Sequence, residues 1–181
     1  MGNGKHKPGP TGLHAKGGAT ATTPSMADRI VGYAQRLRGS RVGDGECSTL
    51  ADGALRAAHA KSNSDYGVVT DTADYVWGTA TTLANLQPGD IIQFRDYSFR
   101  EDVTESNGAT RWHTEGRPHH TAIVQSVDGN GAVTVLEQNS PRGTGVRRKQ
   151  LFFTSRTTTS GGTTTQITVS GTFWFYHPQA R

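Results

Sequence analysis

The chain has a single cysteine, Cys47, among its 181 residues, so no disulfide can form within it and its fold must rest on packing. Hydrophobic residues make up only 33% of the sequence, below the share in a typical globular protein. No apolar run approaches the roughly 20 residues of a membrane-spanning helix, and the N-terminus lacks the apolar segment of a secretory signal peptide. We therefore expect no membrane span and no standard signal peptide.

A strong charge imbalance is also missing. Nineteen Lys and Arg residues against fifteen Asp and Glu residues give a net charge of +4. Such an excess favours an anionic surface, such as a bacterial wall, a nucleic acid or a membrane, without selecting among them. Because basic and aromatic residues are not interleaved as they are on nucleic-acid-binding faces, we expect no nucleic-acid partner.

The length is that of one ordinary domain preceded by a tail. Residues 1–25 combine Gly, Pro, Thr and Lys with almost no large apolar side chain, which predicts a flexible basic tail. Residues 26–181 are predicted to form the folded domain, and we expect a monomer. No repeat of 20 to 50 residues is present.

Two helices are predicted at the start of this domain. Ser25 is a candidate N-cap for a helix that ends near Arg38. A Gly-Asp-Gly turn at residues 43–45 then leads into Cys47, whose apolar stripe continues at steps of three and four residues. Cys47 is therefore predicted to open the second helix.

The rest of the sequence predicts mainly strands. A Pro-Gly-Asp turn, in which Asp90 should bond backbone N–H groups, precedes the first of them. The predicted strands cover residues 91–94, 120–127, 132–138, 146–153, 164–170 and 172–176. Residues 97–118, which contain Trp112, are predicted to be a long polar insertion, and residues 157–165 a mobile hairpin tip. The basic residues 147–149 are expected to be a solvated strand edge.

A hairpin across residues 128–131 would bring candidate catalytic side chains together. If it is regular, His120 faces Asn139 and Ala122 faces Glu137, so that His120, Glu137 and Asn139 project to one face of the sheet. A thiol, a histidine that accepts its proton and a polar group that orients the imidazole are what cysteine hydrolysis needs. A helix N-terminus would lower the pKa of the Cys47 thiol and offer backbone N–H groups to an oxyanion.

Four segments carry a family resemblance. In chain order they are Gly45-Glu46-Cys47, Pro88 to Phe94, His120 to Val124, and Glu137-Gln138-Asn139. They resemble the CHAP domains, which are close to the NlpC/P60 proteins within the papain-like group. The resemblance covers roughly residues 26–153, and its most specific part is the pair HTAIV and EQN.

The resemblance implies an α+β, papain-like fold, with N-terminal helices that carry the cysteine packed on an antiparallel sheet. It implies cleavage of amide bonds in peptidoglycan, either as an N-acetylmuramoyl-L-alanine amidase or as a stem or cross-bridge endopeptidase. Carried over to this chain, Cys47 is the nucleophile, His120 the base and Glu137 the preferred third member, with Asn139 assisting either His120 or the oxyanion. The hairpin instead favours Asn139 as the closer partner of His120, so the rank of these two residues stays open.

The groove around this site is less well determined. Many family members carry Gln before the cysteine and an aromatic residue soon after it, whereas this chain has Glu46 and Ser48. We expect Glu46, His119 and Trp112 to line the substrate groove, although Trp112 could equally pin its own loop. Calcium-binding CHAP domains carry several Asp residues ahead of the cysteine, whereas Asp44 is alone here, so we predict no calcium. We also predict no other metal and no cofactor.

Three other interpretations remain. His113, His119, His120 and Glu115 could bind zinc, but adjacent strand residues point to opposite faces. The same fold could act on proteins as a deamidase, transglutaminase or protease. An inactive module that only binds wall or partner would carry Cys47 as a small buried residue. For the wall hydrolase, we expect synthesis in the cytoplasm and action on the wall after phage release or dedicated secretion, with an immunity or export protein as partner.

Overall fold

The computed structural model describes residues 1–2, 23–67, 69–70 and 72–181. Most of the predicted N-terminal tail lies outside these residues. Helix α1 spans Met26–Arg36 and helix α2 spans Cys47–Ala57. Ser25 caps α1 as predicted, because its hydroxyl accepts from the Asp28 N–H at 3.1 Å while the Asp28 carboxylate accepts from the Ser25 N–H at 3.0 Å. The helix ends two residues earlier than the sequence predicts.

Among the residues that the structure describes, one antiparallel sheet accounts for most of the chain beyond the helices. Its seven strands are β1 (Thr79–Thr81), β2 (Ile91–Thr104), β3 (Thr110–Gly129), β4 (Ala132–Glu137), β5 (Arg147–Phe152), β6 (Arg156–Ser160) and β7 (Thr163–His177). The strand order is β1-β7-β2-β3-β4-β5, and β6 also pairs with β7. Two short 3-10 helices, Asn63–Asp65 and Leu83–Asn85, lie between α2 and β2. The fold is therefore α+β with the sheet predominant.

The predicted insertion at residues 97–118 is wrong, because these residues extend β2 and β3 into a long hairpin. Their register is continuous from Tyr97 opposite Arg117 to Thr104 opposite Thr110. Only part of one side of this hairpin is buried, through Tyr97, Phe99, Val103 and Arg117. Because these two strands face solvent on most of their surface, the sequence of residues 97–118 is polar although it forms strands.

The predicted mobile tip at residues 157–165 is also a regular hairpin. β6 and β7 pair from Arg156 opposite Ile167 to Ser160 opposite Thr163, and Gly161 and Gly162 make the turn with φ of 56° and 81°. The two strands predicted at residues 164–176 form the single strand β7.

Side chains of the sheet pack on both of its faces. On the helix side, Ile91, Ile123 and Leu136 pack with buried residues of α1 and α2, among them Ile30 and Leu55. The other face carries a second cluster, which includes Ile92, Phe94, Tyr97, Val124, Val135 and Leu151. Alternation along β2, β3 and β4 thus supplies two cores from one set of strands.

The sheet is curled, as shown by residues near its two ends that meet within the second cluster. The ring of Phe153, just after β5, lies 5.0 Å from that of Phe173 and 5.3 Å from that of Phe175, both in β7. Tyr97 in β2 donates a hydrogen bond of 2.6 Å to the Phe152 carbonyl. The two ends of the sheet therefore approach each other on the face away from the helices.

The Pro-Gly-Asp turn before β2 is held as predicted. Buried Asp90 accepts the Gln87 N–H at 2.9 Å. Its other oxygen lies 2.7 Å from Nδ1 of His177, at the end of β7. Asp90 therefore ties the start of β2 to the C-terminal strand. Among the residues that the structure describes, no helix has the length and apolarity to cross a membrane.

Candidate active site

Cys47 is the first residue of α2 and follows a turn that requires glycine. Gly43 and Gly45 have φ of 57° and 91°, values that L side chains rarely adopt. A Cβ at Gly45 would also collide with the guanidinium of Arg41. The turn sets the partly buried Cys47 at the helix N-terminus, where the macrodipole favours a negative charge.

Gln138 holds this turn against the end of β4. Its side-chain amide donates to the Val42 carbonyl at 3.1 Å and to the Glu46 carbonyl at 2.6 Å, while its oxygen accepts the Val42 N–H at 2.9 Å. Gln138 is fully buried. Gln138, the middle residue of EQN, has no role assigned to it from the sequence alone. In the structure it fixes the turn that precedes Cys47.

His120 lies next to Cys47 and is 4% exposed. Burial raises the pKa of Cys47, but the hydrogen bond and the charge of His120, with the backbone N–H groups of Thr121 and Ser48, bring this pKa below its ordinary value of 9.0. Burial lowers the pKa of His120, yet its hydrogen bonds to Cys47 and Glu137 carry the net pKa above 6.5. The two shifts favour a thiolate beside an imidazolium.

Glu137 is the residue that contacts the imidazole. Its Oε2 lies 3.0 Å from Nε2 of His120, which leaves Nδ1 as the ring nitrogen for Cys47. Glu137 is fully buried, and burial raises its pKa, but the hydrogen bonds and charges of His120 and Arg117 lower it to about 2. Glu137 is therefore a carboxylate at neutral pH.

The prediction that Asn139 is the closer partner of His120 is wrong. The hairpin has a two-residue turn between Gly129 and Ala132 and two irregularities, after which Ile123 faces Leu136, the register that the sequence predicts. Strand β4 ends at Glu137, however, and Asn139 adopts φ of 63°. Its amide then donates to the Glu46 carboxylate at 2.9 Å instead of reaching the imidazole.

Arg117 is a site residue that the sequence reasoning missed. It donates from Nε to Oε2 of Glu137 at 2.9 Å and from Nη2 to Oε1 at 2.7 Å, and its side chain is 2% exposed. Strand alternation counted from His120 does not predict this contact. The pairing of β2 with β7 shifts register between Arg95 and Ser98, beside this part of β3, so the alternation of faces is interrupted there.

Arg147 and Lys149 depart from the expected solvated strand edge. Arg147 donates to Oε1 of Glu137 at 3.1 and 3.2 Å, and Lys149 pairs with Glu115. Glu115 in turn accepts from Arg117 at 3.1 Å. Three cations and two carboxylates thus form one network behind His120.

A cavity of about 440 Å³ opens beside Cys47. Its lining includes Glu46 and His119, which the sequence predicts for the groove, and also Tyr75. Nε2 of His119 lies 2.7 Å from the Ala73 carbonyl, while His120 turns to Glu137. Two smaller hollows of about 240 and 160 Å³ share Val69 with this cavity.

Trp112 does not line this cavity. It lies opposite Asp102 in the distal part of the β2–β3 hairpin, is 66% exposed, and has the Arg100 guanidinium 4.8 Å from its ring centre. Trp112 lies eight positions before His120 along β3, which is roughly 26 Å of strand. The predicted role of Trp112 in the substrate groove does not agree with this placement.

The zinc interpretation finds no matching geometry. His113 pairs with Glu115 at 3.1 Å, while His119 and His120 bond separate partners. Across the part of the chain that the structure describes, no three His, Cys, Asp or Glu side chains are grouped so that they could hold a metal ion.

Comparison with known proteins gives one family. Residues 6–154 match the model described as the AIM3/BBC1 cysteine proteinase-fold domain. No curated protein and no solved structure matches the chain. The match agrees with the papain-like fold that the CHAP and NlpC/P60 resemblance implies, at a coarser level than either of those families. The chain belongs to the AIM3/BBC1 cysteine proteinase-fold domain family and has a papain-like cysteine-proteinase fold.

Proposed function

We propose that this protein is a cysteine hydrolase of amide bonds, with Cys47 as nucleophile, His120 as acid and base, and Glu137 as the residue that orients His120. The observation that carries the proposal is the series of contacts from partly buried Cys47 through buried His120 to buried Glu137, in which the pKa of Cys47 is lowered and that of His120 is raised. Perturbation of both partners in opposite directions is what a nucleophile and its base require.

The reaction follows from these protonation states. The Cys47 thiolate attacks the amide carbonyl carbon and forms a C–S bond, and the carbonyl becomes an oxyanion. The His120 imidazolium donates its proton to the leaving nitrogen as the C–N bond breaks, which leaves a thioester and a free amine. Neutral His120 then takes a proton from water, whose oxygen attacks the thioester carbon and releases a carboxylic acid and the thiolate.

The start of α2 supplies stabilisation for the oxyanion. Glu46, at the position where many CHAP proteins carry Gln, makes no capping hydrogen bond to the helix, and its carboxylate accepts from Asn139. A carboxylate cannot donate to an oxyanion. Backbone N–H groups of the first turn, that of Cys47 first among them, are donors that can take this role.

For the substrate, we propose the amide bonds of peptidoglycan, cut at the muramoyl-L-alanine bond or within the stem or cross-bridge peptides. Support comes from the CHAP resemblance of the His120 and Glu137 segments and from the open cavity beside Cys47, which adjoins two further hollows. Such a protein would act outside the cell that makes it, reach the wall by phage release or a dedicated export partner, and need an immunity protein where its own wall is at risk.

A second candidate substrate is the peptide bond of proteins. The family description, a cysteine proteinase-fold domain, favours it. The chemistry at Cys47 is unchanged in this case, and only the occupant of the cavity differs.

One experiment separates the two substrates. Purified protein is incubated with isolated sacculi and, separately, with unfolded casein, and new amino termini are counted and identified by mass spectrometry. Cys47→Ala is the matched control. Release from sacculi alone supports a wall hydrolase, and release from casein alone supports a protease. No release from either, or equal release by Cys47→Ala, would refute the proposed function.

A further inference from the structure

Arg117 stands out because it is a fully charged side chain buried behind the proposed site, and the cysteine-histidine chemistry has no step for it. It is 2% exposed and makes four hydrogen bonds within the protein, two of them to Glu137. A guanidinium can grip both oxygens of a carboxylate in one plane, which a lysine ammonium cannot do.

The atoms that Arg117 contacts define its effect. Oε2 of Glu137 receives both Nε of Arg117, at 2.9 Å, and Nε2 of His120, at 3.0 Å. Oε1 receives Nη2 of Arg117 at 2.7 Å and the side chain of Arg147. Arg147 therefore holds one oxygen, whereas Arg117 holds both and sets the plane of the carboxylate that faces the imidazole.

We propose that Arg117 is a positioning residue for the cysteine-histidine pair: it fixes the Glu137 carboxylate so that Oε2 stays on His120 and the Cys47 thiolate persists. This inference rests on the proposed function, since it assumes that Cys47 and His120 form the reactive pair. Arg117 has no contact with Cys47 or His120 in the contacts described above, so it acts only through Glu137.

The charged and titratable groups around Glu137 come from several elements. They are Arg117, His120 and Glu115 of β3, Arg147 and Lys149 of β5, Tyr97 of β2, and Cys47 of α2 through His120. Arg117→Lys keeps the charge of this set unchanged and removes the two-point grip on Glu137, together with the guanidinium's bonds to Glu115 and the Gly116 carbonyl. Its effect on Cys47 is therefore a test of geometry.

The test measures the rate at which iodoacetamide alkylates Cys47 between pH 4 and pH 10, a reaction that needs no substrate. We expect Arg117→Lys to move the acid limb of this profile upward by about one pH unit, which is about tenfold slower alkylation at pH values on that limb. Arg147→Lys, which makes the same change at a residue that holds one oxygen, should stay within about twofold of wild type. In a Glu137→Gln background, Arg117→Lys should add no further shift.

Several results would overturn the inference. A folded Arg117→Lys protein with the wild-type profile, or a shift as large in the Glu137→Gln background as in wild type, shows that Arg117 does not act through Glu137. If Arg117→Lys does not fold, Arg117→Gln is compared with Arg147→Gln under the same criteria. A wild-type Cys47 that titrates as an ordinary free thiol would refute the proposed function as well, whereas failure of Arg117 alone leaves that function intact.

Discussion

Oε2 of Glu137 lies 3.0 Å from Nε2 of His120, and both side chains are buried. Asn139, two residues further along, bonds Glu46 at 2.9 Å. Glu137 and Asn139 of the EQN segment therefore have different partners, since Glu137 contacts the imidazole and Asn139 contacts Glu46 at the rim of the cavity.

This division predicts different outcomes for two substitutions. Glu137→Gln removes the negative charge beside His120, so alkylation of Cys47 at pH 6 should slow by about tenfold or more. Asn139→Gly suits the φ of 63° and removes only the amide, so alkylation should change by about twofold at most. Rates with iodoacetamide on folded proteins provide the measurement. A larger effect of Asn139→Gly than of Glu137→Gln would reverse the assignment.

The buried carboxylate also predicts how stability varies with pH. The pKa of Glu137 is about 2 in the folded protein against an ordinary 4.5, so its stabilisation is complete above 4.5 and is lost as pH falls towards 2. At neutral pH, Glu137→Gln should destabilise the fold by about 3 kcal/mol or more, because it also leaves Arg117 without its main partner.

Urea unfolding of wild type and Glu137→Gln at pH 7 and pH 3 checks this expectation. The difference in the free energy of unfolding should shrink at the lower pH, since only the wild type loses the contribution of an ionised Glu137. A difference that is equal at both pH values would show that Glu137 is not the titrating group.

Substitution of Gln138 tests whether its hydrogen bonds to the turn before α2 position Cys47. Gln138→Leu keeps similar volume but leaves the Val42 N–H and the Val42 and Glu46 carbonyls without their side-chain partner. We expect a loss of about 1 to 3 kcal/mol in the free energy of unfolding and slower alkylation of Cys47. Chemical denaturation and alkylation rates measure the two effects. Unchanged values of both would show that the turn holds its shape without Gln138.

Trp112 should be dispensable for the chemistry. It lies roughly 26 Å along the strand from His120, so Trp112→Ala should leave alkylation of Cys47 and cleavage of a short amide substrate at wild-type rates. His119→Ala is the comparison, because His119 lines the cavity. A loss of short-substrate cleavage in Trp112→Ala that equals the loss in His119→Ala would place Trp112 at the site after all.

Local sequence signals were sufficient for the elements that carry the site. Ser25, the glycines at 43 and 45 and the apolar stripe after Cys47 predict both helix starts, because caps and turns depend on neighbours in sequence. The register of Ile123 opposite Leu136 also followed from the hairpin residues, although two irregularities along the strands contribute to it.

What the sequence could not supply depends on distant contacts. Residues 98–104 of β2 pair with residues 164–170 of β7, a partner some 60 to 70 residues away, and the β3 residues 110–117 pair back onto β2. Arg117 of β3 reaches Glu137 at the end of the neighbouring strand β4, across a separation of 20 residues in sequence. Asn139 does not contact His120, because the backbone turns after the end of β4. This turn could not be predicted from the spacing of residues along the chain.

The central claim is that Cys47 and His120 form a thiolate and imidazolium pair. The most direct measurement is the rate of Cys47 alkylation by iodoacetamide from pH 4 to pH 10, in wild type and in His120→Ala. The lowered pKa of Cys47 and the raised pKa of His120 predict that wild type reacts with an acid limb well below 9.0, and that His120→Ala returns this limb to an ordinary thiol's range. Identical profiles for the two proteins would contradict the account.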